Sequence, residues 1–203
     1  MKIAIIGATG NVGSRLTDEA LRRGHTVTAL ARQASTLPAR EGVTARDVDV
    51  ADTSALAAAL RGSDAVISTV RFLQTSASQL VAAVKAAGVE RLLVVGGAGS
   101  LYVAPGVQLV DTPTFPDAYK AEASAGRDFL DALRAETSLA WTFLSPSALF
   151  TPGERTGKFR VGNDDLLTAA DGKSWISMED YAIAMLDEIE QPKHVRERFT
   201  VGY

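Results

Sequence analysis

The sequence predicts an α/β domain built on a doubly wound parallel sheet, and three observations support this. Short apolar runs alternate with amphipathic segments over the first two-thirds of the chain, as in successive βαβ units. A glycine-rich turn at Gly7–Gly13 joins the first strand to the first helix. Three helices end in a glycine followed by two polar residues and an apolar strand, in "ALRRGHTVTAL", "ALRGSDAVIST" and "VKAAGVERLLVV".

The strands and helices follow from local patterns. Lys2–Ile6 is an apolar run that ends at a glycine, which suits a strand buried on both faces. The next segment places Val12, Leu16 and Ala20 at helical spacing and stops at Gly24, a residue type that favours the left-handed C-cap. The same reasoning predicts, in order, a helix at Val12–Arg23, a β-rich strand at Thr26–Ala31, a strand at Val43–Val50, an alanine- and leucine-rich helix at Thr53–Arg61, a strand at Ala65–Val70, a helix at Ser78–Ala87, a strand at Arg91–Val95, a helix at Tyr119–Glu136 and a sixth strand at Leu139–Leu144.

The remaining segments are less regular. The link Gly96–Ala118 holds three prolines, and a loop of this length is usually functional or mobile. Lys158–Val161 and Leu166–Ala169 are predicted to pair as a small hairpin. Ser177 and Asp180 form a capping-box pattern before a helix at Met178–Ile189, and a last strand is expected at Arg198–Gly202. We therefore predict strand order 3-2-1-4-5-6 with a short C-terminal appendage.

Composition narrows the class of protein. The chain has 203 residues, of which 46% are hydrophobic and 22% are charged. These values favour one domain over residues 1–203, with 146–203 as a small portion on the substrate side. A net charge of −3 gives no electrostatic reason to expect nucleic acid or an anionic membrane as partner. A homodimer is compatible with the sequence, which does not define the oligomeric state.

The residue types present exclude several kinds of site. There is no cysteine, which rules out disulfides, thiolate nucleophiles and cysteine-based metal centres. The two histidines, His25 and His194, are far apart, so no metal site is expected. No apolar run approaches the ~18 residues of a spanning helix, and the N-terminus has no signal-peptide core. The expected location is the cytoplasm.

The glycine turn is the most informative motif. The chain must turn tightly at Gly7, backbone must approach a pyrophosphate near Gly10, and the helix must pack closely on the strand at Gly13. The alternative is a strand–turn–helix with incidental glycines, but the strand before and the amphipathic helix after supply the context that a dinucleotide site requires. We predict that the residues binding the phosphates are Gly7, Thr9, Gly10, Asn11, Val12 and Gly13.

The spacing G-x-x-G-x-x-G and the run "IIGATGNVGSRL" resemble the extended and atypical short-chain dehydrogenase/reductases, which have the Rossmann-type fold. The segments "LLVVGGAGSL", "TPTFPDAYKAEA", "WTFLSPSALF" and "RFTVGY" are similar to those of small bacterial NAD(P)H-flavin reductase-like proteins, relatives of the NmrA-like and biliverdin-reductase-B-like groups. The resemblance covers nearly the whole chain. It implies fold and cofactor, but it says less about the reaction, because these groups mix enzymes with redox sensors.

The residues after the second strand favour NADP(H) over NAD(H). An NAD enzyme usually carries an acid there to bind the ribose 2′-hydroxyl. This chain has Arg32 instead, and a guanidinium binds a 2′-phosphate through charge-assisted hydrogen bonds. The alternative is a solvated loop arginine.

The resemblance implies further cofactor positions at the carboxyl ends of strands. Asp49 and Val50 match the place that holds the adenine, and Ser68 and Thr69 match the segment passing the nicotinamide-side ribose. Pro146 matches a turn beside the nicotinamide. Each of these positions is also compatible with an ordinary turn residue.

The catalytic residues depart from the superfamily pattern, in which a tyrosine precedes a lysine by four residues. Counting back from Lys120 gives Pro116, and Tyr119 is adjacent to the lysine, so it faces another direction on a helix. Lys120 is still a candidate for binding the nicotinamide ribose, with a surface lysine as the alternative. Ser100 loosely matches a serine position after the fifth strand and is the second catalytic candidate, with a flexible loop as the alternative.

Three functions remain open at this stage. The first is an NAD(P)H-dependent oxidoreductase that transfers hydride to a planar acceptor such as a flavin or quinone, which needs little proton donation from the protein. The second is a non-enzymatic NADP(H) sensor of the NmrA type. The third is a carbonyl reductase that uses Tyr119 or Tyr102. Sugar epimerisation is not expected, because such enzymes add a sizeable C-terminal substrate domain.

Overall fold

A computed structural model describes all residues, 1–203, and has one large sheet with helices on both faces. The strands are β1 Lys2–Ile6, β2 Thr26–Ala31, β3 Val43–Asp47, β4 Ala65–Ser68, β5 Arg91–Val95, β6 Tyr102–Ala104, β7 Val107–Gln108, β8 Ala140–Ser145, β9 Leu149–Thr151, β10 Arg160–Gly162, β11 Trp175–Ser177 and β12 Glu197–Gly202. The helices are α1 Asn11–Arg22, α2 Thr53–Leu60, α3 Ala77–Ala86, α4 Asp117–Arg134 and α5 Met178–Glu190. The predicted elements of the βα units therefore all exist, with ends displaced by a few residues at most.

The large sheet has the order β10-β12-β8-β5-β4-β1-β2-β3. All neighbours are parallel except β10, which runs antiparallel to β12. The six predicted strands thus lie in the predicted order, since β8 is the sixth of them. The C-terminal portion is more than an appendage, because β12 and β10 extend the same sheet beyond β8.

Two apolar layers explain why the central strands are apolar throughout. Along β1, Ile3 and Ile5 face a layer shared with α1 and α5, whereas Ala4 and Ile6 face a layer shared with α2, α3 and α4. Successive side chains of a strand point to opposite faces, so a strand covered on both sides needs apolar residues at every position.

The predicted hairpin of Lys158–Val161 with Leu166–Ala169 is wrong. Arg160–Gly162 pairs instead with the last strand, with Val161 opposite Val201. Residues 166–169 form no strand, and Leu166 donates its backbone N–H to the Tyr102 carbonyl at 2.9 Å. The partner of β10 is far away in sequence, which no local pattern reveals.

The long link after β5 has internal structure. It contains the short hairpin β6–β7 and a 3-10 turn at Leu109–Asp111. Helix α4 then begins at Asp117, so Tyr119 lies inside the helix and is 66% exposed.

None of the helices combines the length and the apolar character that a membrane span requires.

Candidate functional site

The glycine turn has the geometry that its three glycines predict. Gly7 has φ +84°, and a Cβ there would lie 2.3 Å from Thr69 Oγ1. At Gly13 a Cβ would lie 2.2 Å from the Gly7 carbonyl oxygen, so only glycine lets α1 pack this closely on the turn. At Gly10 the only neighbour is the Gly7 oxygen at 3.3 Å, so the missing side chain leaves open space beside the turn.

Helix α1 presents an N-terminus suited to an anion. Gly10 is its N-cap and supplies no side-chain cap, and the first turn has no acidic residue. The first N–H groups of a helix lack partners within the helix, and the helix dipole adds positive potential there. A phosphate is the kind of group that such an N-terminus binds.

A cleft of about 1060 Å³ runs from this turn along the carboxyl ends of β1, β2, β3 and β4. Its size is near the upper end for small-molecule sites. The sequence-predicted residues that line it are Gly7, Thr9, Gly10, Asn11, Val12, Arg32, Asp49, Val50 and Thr69. Open α/β sheets bind ligands at this edge, where the strand order reverses on either side of β1.

Arg32 is an exposed cation in the cleft wall and has no carboxylate partner in the structure. The carboxylate at the end of β3, Asp47, lies opposite Ala31 and is already engaged, because it accepts hydrogen bonds from the Ser35 backbone N–H at 2.7 Å and hydroxyl at 2.6 Å. The hydroxyl and backbone bonds from Ser35 lower the pKa of Asp47, which keeps it ionised. The end of β2 therefore offers a cation for a phosphate and no acid for a ribose hydroxyl.

The turn after β3 supplies part of the cleft lining. Val48 and Val50 are half-buried apolar side chains there, as a flat ring system requires. Between them, Asp49 accepts the Ala51 backbone N–H at 3.0 Å, which shapes the turn after β3. This surface is compatible with an adenine, and the roles of Asp49 and Val50 stay predictions.

Thr69 also has a structural role. Its hydroxyl donates to the carbonyl oxygens of Ile6 at 2.9 Å and Gly7 at 3.1 Å, so it ties the end of β4 to the start of the glycine turn. Ser68, one residue earlier, is buried at the end of β4 and does not line the cleft. Pro146 is also buried and outside the cleft lining.

The two predicted catalytic residues lie apart from the cleft lining. Ser100 is 4% exposed, and its hydroxyl lies 3.4 Å from Nη1 of Arg198, a buried arginine that is bound to Asp164. Lys120 is exposed in the first turn of α4 and forms no ion pair. Their roles stay predictions, as does the role of Pro146.

Sequence reasoning missed several residues of the cleft. Arg71 and Gln74 lie in the loop after β4, next to the predicted Thr69, so their position after a strand was a usable signal. Arg71 is 69% exposed in its side chain and lies 3.7 Å from Glu122. Met178 comes from the start of α5, and nothing in the local sequence places it there.

These residues fit a dinucleotide. The open space at Gly10 and the uncapped N-terminus of α1 suit a pyrophosphate, the valines suit an adenine, and Arg32 suits a ribose phosphate. The pyrophosphate, the adenine and the ribose phosphate would thus each lie beside residues of the chemical type that binds such a group.

Comparison with solved structures finds relatives that share this fold. The "Putative exported protein" of Burkholderia pseudomallei is 50% identical, with TM-score 0.89 and 100% of both chains covered. The "putative epimerase" of Bacteroides thetaiotaomicron is 43% identical, with TM-score 0.93, covering 100% of this chain and 96% of that one. SP1627 of Streptococcus pneumoniae, a "putative NADH-flavin reductase", is 36% identical, with TM-score 0.87, covering 100% and 99% of the two chains.

The family comparison covers all but one residue of the cleft lining. A family model described as NAD(P)H-binding matches residues 7–192, from the first glycine of the turn to the end of α5 and beyond. The glycine turn, the cleft and the fold are the features expected of such proteins. This chain therefore belongs to the NAD(P)H-binding family.

Proposed function

We propose that this protein is an NADPH-dependent oxidoreductase that passes hydride to a planar acceptor, a flavin or a quinone. The observation that carries the proposal is Arg32, an unpaired cation at the end of β2 where an NAD enzyme usually has an acid. The likeness to SP1627, described as "a putative NADH-flavin reductase", supports the acceptor class.

The chain supplies binding and orientation in this proposal. Reduced nicotinamide, when bound, supplies the hydride. The first turn of α1 would hold the pyrophosphate, Arg32 would hold the 2′-phosphate, and Arg71, an exposed arginine of the cleft lining, would be a second cation for the phosphates. The acceptor gains the hydride and takes its proton from water, so no tyrosine acid is needed.

Lys120 and Ser100 keep their predicted places in the proposal. Lys120 would bind the nicotinamide ribose from the first turn of α4. Ser100 would border the acceptor after β5, where Arg198 holds its hydroxyl. Tyr119 does not support a carbonyl reductase, because it is a 66% exposed residue directly before Lys120 on α4 and therefore faces a different direction from the lysine.

The first test measures NADPH oxidation with FMN, riboflavin and a quinone as acceptors. We expect Arg32→Ala to raise KM about tenfold for NADPH and to leave KM for NADH unchanged, because a lost charge-assisted hydrogen bond costs on the order of 1.5 kcal/mol or more. Arg71→Ala should raise both KM values equally, because the pyrophosphate is common to both nucleotides. Lys120→Ala should lower turnover.

The control for these variants is Arg61→Ala, which removes an exposed arginine at the end of α2, outside the cleft. Tight NADPH binding without turnover for any acceptor would contradict the reductase and favour an NADP(H) sensor. Equal effects of Arg32→Ala on NADPH and NADH would contradict the preference for NADP.

We also propose the cytoplasm as the compartment, because a reductase of this kind depends on a supply of NADPH. One relative is named as an exported protein, so fractionation of cells that express the native protein is the direct check.

A further inference from the structure

A short segment on the C-terminal side, Pro152–Lys158, crosses the outer surface of α1 and α5, and we name it the strap. All its residues are exposed, and they form no regular secondary structure. Residues 153–157 make no backbone–backbone hydrogen bond. Side chains from the two helices therefore determine where the strap lies.

Five contacts hold the strap in place. Gly153 N–H donates to Glu179 Oε2 at 2.8 Å, Gly157 N–H donates to Asp180 Oδ1 at 2.8 Å, and the Glu154 carbonyl accepts from the Ser177 hydroxyl at 2.8 Å. The Arg155 guanidinium binds both carboxylate oxygens of Glu19 at 2.8 and 2.9 Å, and the Thr156 hydroxyl donates to Asp180 Oδ2. Three of these partners belong to the first residues of α5 or its N-cap, so the strap is fixed mainly to the N-terminus of that helix.

Glu179 differs from the other anchors because it also reaches the cofactor side. Its Oε1 accepts from Arg15 Nε at 2.5 Å, while its Oε2 holds the strap. Arg15 in turn donates from Nη1 to the Asn11 carbonyl at 2.7 Å. Asn11 lines the cleft, and so does Met178, the residue before Glu179.

We propose that Glu179 is a positioning residue that makes the order of the strap depend on occupancy of the cleft. A nucleotide in the cleft restrains the first turn of α1 and Met178 together. Arg15 is bonded to Asn11 in that turn, and Glu179 directly follows Met178, so both members of the Arg15–Glu179 pair are restrained by the nucleotide. Glu179 in turn holds the strap, and ordering one group lowers the entropy cost of ordering its partner. By linkage, the coupling acts in both directions.

The functional consequence rests on the proposed function. Residues 146–203 are proposed to lie on the acceptor side, so a strap ordered by NADPH gives ordered addition, with NADPH binding before the acceptor. Loss of the Glu179 carboxylate should then raise KM for the acceptor and leave the Kd for NADPH nearly unchanged.

Limited trypsin digestion of the full chain tests the coupling, because Arg155 and Lys158 place two trypsin sites in the strap. In the wild type we expect NADPH to slow cleavage in the strap about tenfold, since proteolysis follows the population of locally open states. Glu179→Ala should be cleaved faster without nucleotide and should lose most of the protection by NADPH.

Two further variants separate the coupling from simple loosening of the fold. Glu179→Gln keeps an acceptor for the Gly153 N–H but loses the charge opposite Arg15, so its cleavage without NADPH should stay near wild type while protection falls. Glu154→Gln is the matched control, since Glu154 bonds only through its backbone carbonyl. It should behave as the wild type.

Protection of Glu179→Ala equal to that of the wild type would overturn the proposal. So would NADPH binding, measured by nucleotide fluorescence, that leaves strap cleavage unchanged in the wild type. If NADPH binds and protects the strap but no acceptor is reduced, the proposed reductase function fails while the coupling by Glu179 stands.

Discussion

At the scale of single residues, the shape of the glycine turn depends on residues from distant parts of the chain. Thr69 donates to the carbonyl oxygens of Ile6 and Gly7, and the same hydroxyl excludes any Cβ at Gly7. The glycine motif alone predicts the need for a small residue at position 7, but the steric reason is a threonine that follows a different strand. Thr69 therefore shapes the turn in addition to lining the cleft.

The three glycines have separable roles, which gives a prediction. Gly13→Ala should lower the free energy of unfolding by several kcal/mol, because its Cβ would lie 2.2 Å from the Gly7 oxygen, a backbone atom. Gly10→Ala should fold with a small change in Tm, because its Cβ meets only the Gly7 oxygen at 3.3 Å. The same methyl projects where a pyrophosphate would lie, so it should weaken NADPH binding about tenfold or more.

Thermal unfolding and NADPH titration of the two variants check this prediction. Unchanged NADPH affinity in Gly10→Ala would show that the phosphates do not approach the backbone there.

At the scale of elements, α1 is tied to its neighbours by an ion cluster around Glu19. This carboxylate is 2% exposed and accepts from Arg23 on its own helix and from Arg155 on the strap. Burial raises its pKa, but the bonds from Arg155 and Arg23 outweigh burial and bring the pKa down to about 2. The cluster therefore links the cofactor-binding helix to the strap through a charge that persists over most of the pH range.

The pH dependence of stability follows from this shift. The pKa of Glu19 in the folded state, about 2, lies below its ordinary value of 4.5. The stabilisation is therefore complete above pH 4.5 and is lost as the pH falls towards 2, and linkage makes it about 3 kcal/mol at neutral pH. Glu19→Gln should lower the free energy of unfolding at pH 7, and the difference from wild type should shrink by pH 3.

Urea unfolding at both pH values measures the difference. Glu41→Gln, at an exposed carboxylate in the turn before β3, serves as the control and should not change stability at either pH. A difference that persists undiminished at pH 3 would contradict the role of the ionised Glu19.

At the scale of the whole molecule, the C-terminal portion extends the sheet beyond β8 and contacts residues in the loop after β5 and at the end of β8 through Arg198. The side chain of Arg198 on β12 is 1% exposed and is bound to Asp164, a residue that is half exposed. Its Nη1 lies 3.4 Å from Ser100 Oγ and 3.5 Å from Ser145 Oγ. One buried guanidinium thus connects the last strand, the turn at Asp164, the loop after β5 and the end of β8.

Removing Asp164 and removing Arg198, each in a separate variant, should lower the free energy of unfolding by different amounts. Asp164→Ala leaves a buried, unpaired guanidinium and should lower the free energy of unfolding by about 3 kcal/mol. Arg198→Met leaves a carboxylate that water can reach and an apolar side chain in a buried site, so it should cost about 1 kcal/mol. Urea unfolding of both variants at pH 7 gives the two values, and a larger loss in Arg198→Met would contradict this account.

Much of the fold was predictable because its signals are local. Lys2–Ile6, Thr26–Ala31 and Arg91–Val95 have the predicted bounds. Ser177 caps α5 as predicted, since its hydroxyl accepts the Asp180 N–H at 3.0 Å. Apolar runs, helix caps and glycines that end helices each act within a few residues, so they can be recognised from the sequence alone.

The sequence by itself determined the order of the βα units, the glycine turn and the cation after β2, because each depends on neighbours along the chain. Only the tertiary structure decided that β10 pairs with β12, that Met178 joins the cleft, and that Arg198 lies against Ser100. These contacts join residues far apart in sequence, and they depend on how whole helices and strands pack. Local propensity does not encode that packing, which is why the glycine turn and much of the cleft lining were predictable and the contacts of the C-terminal portion were not.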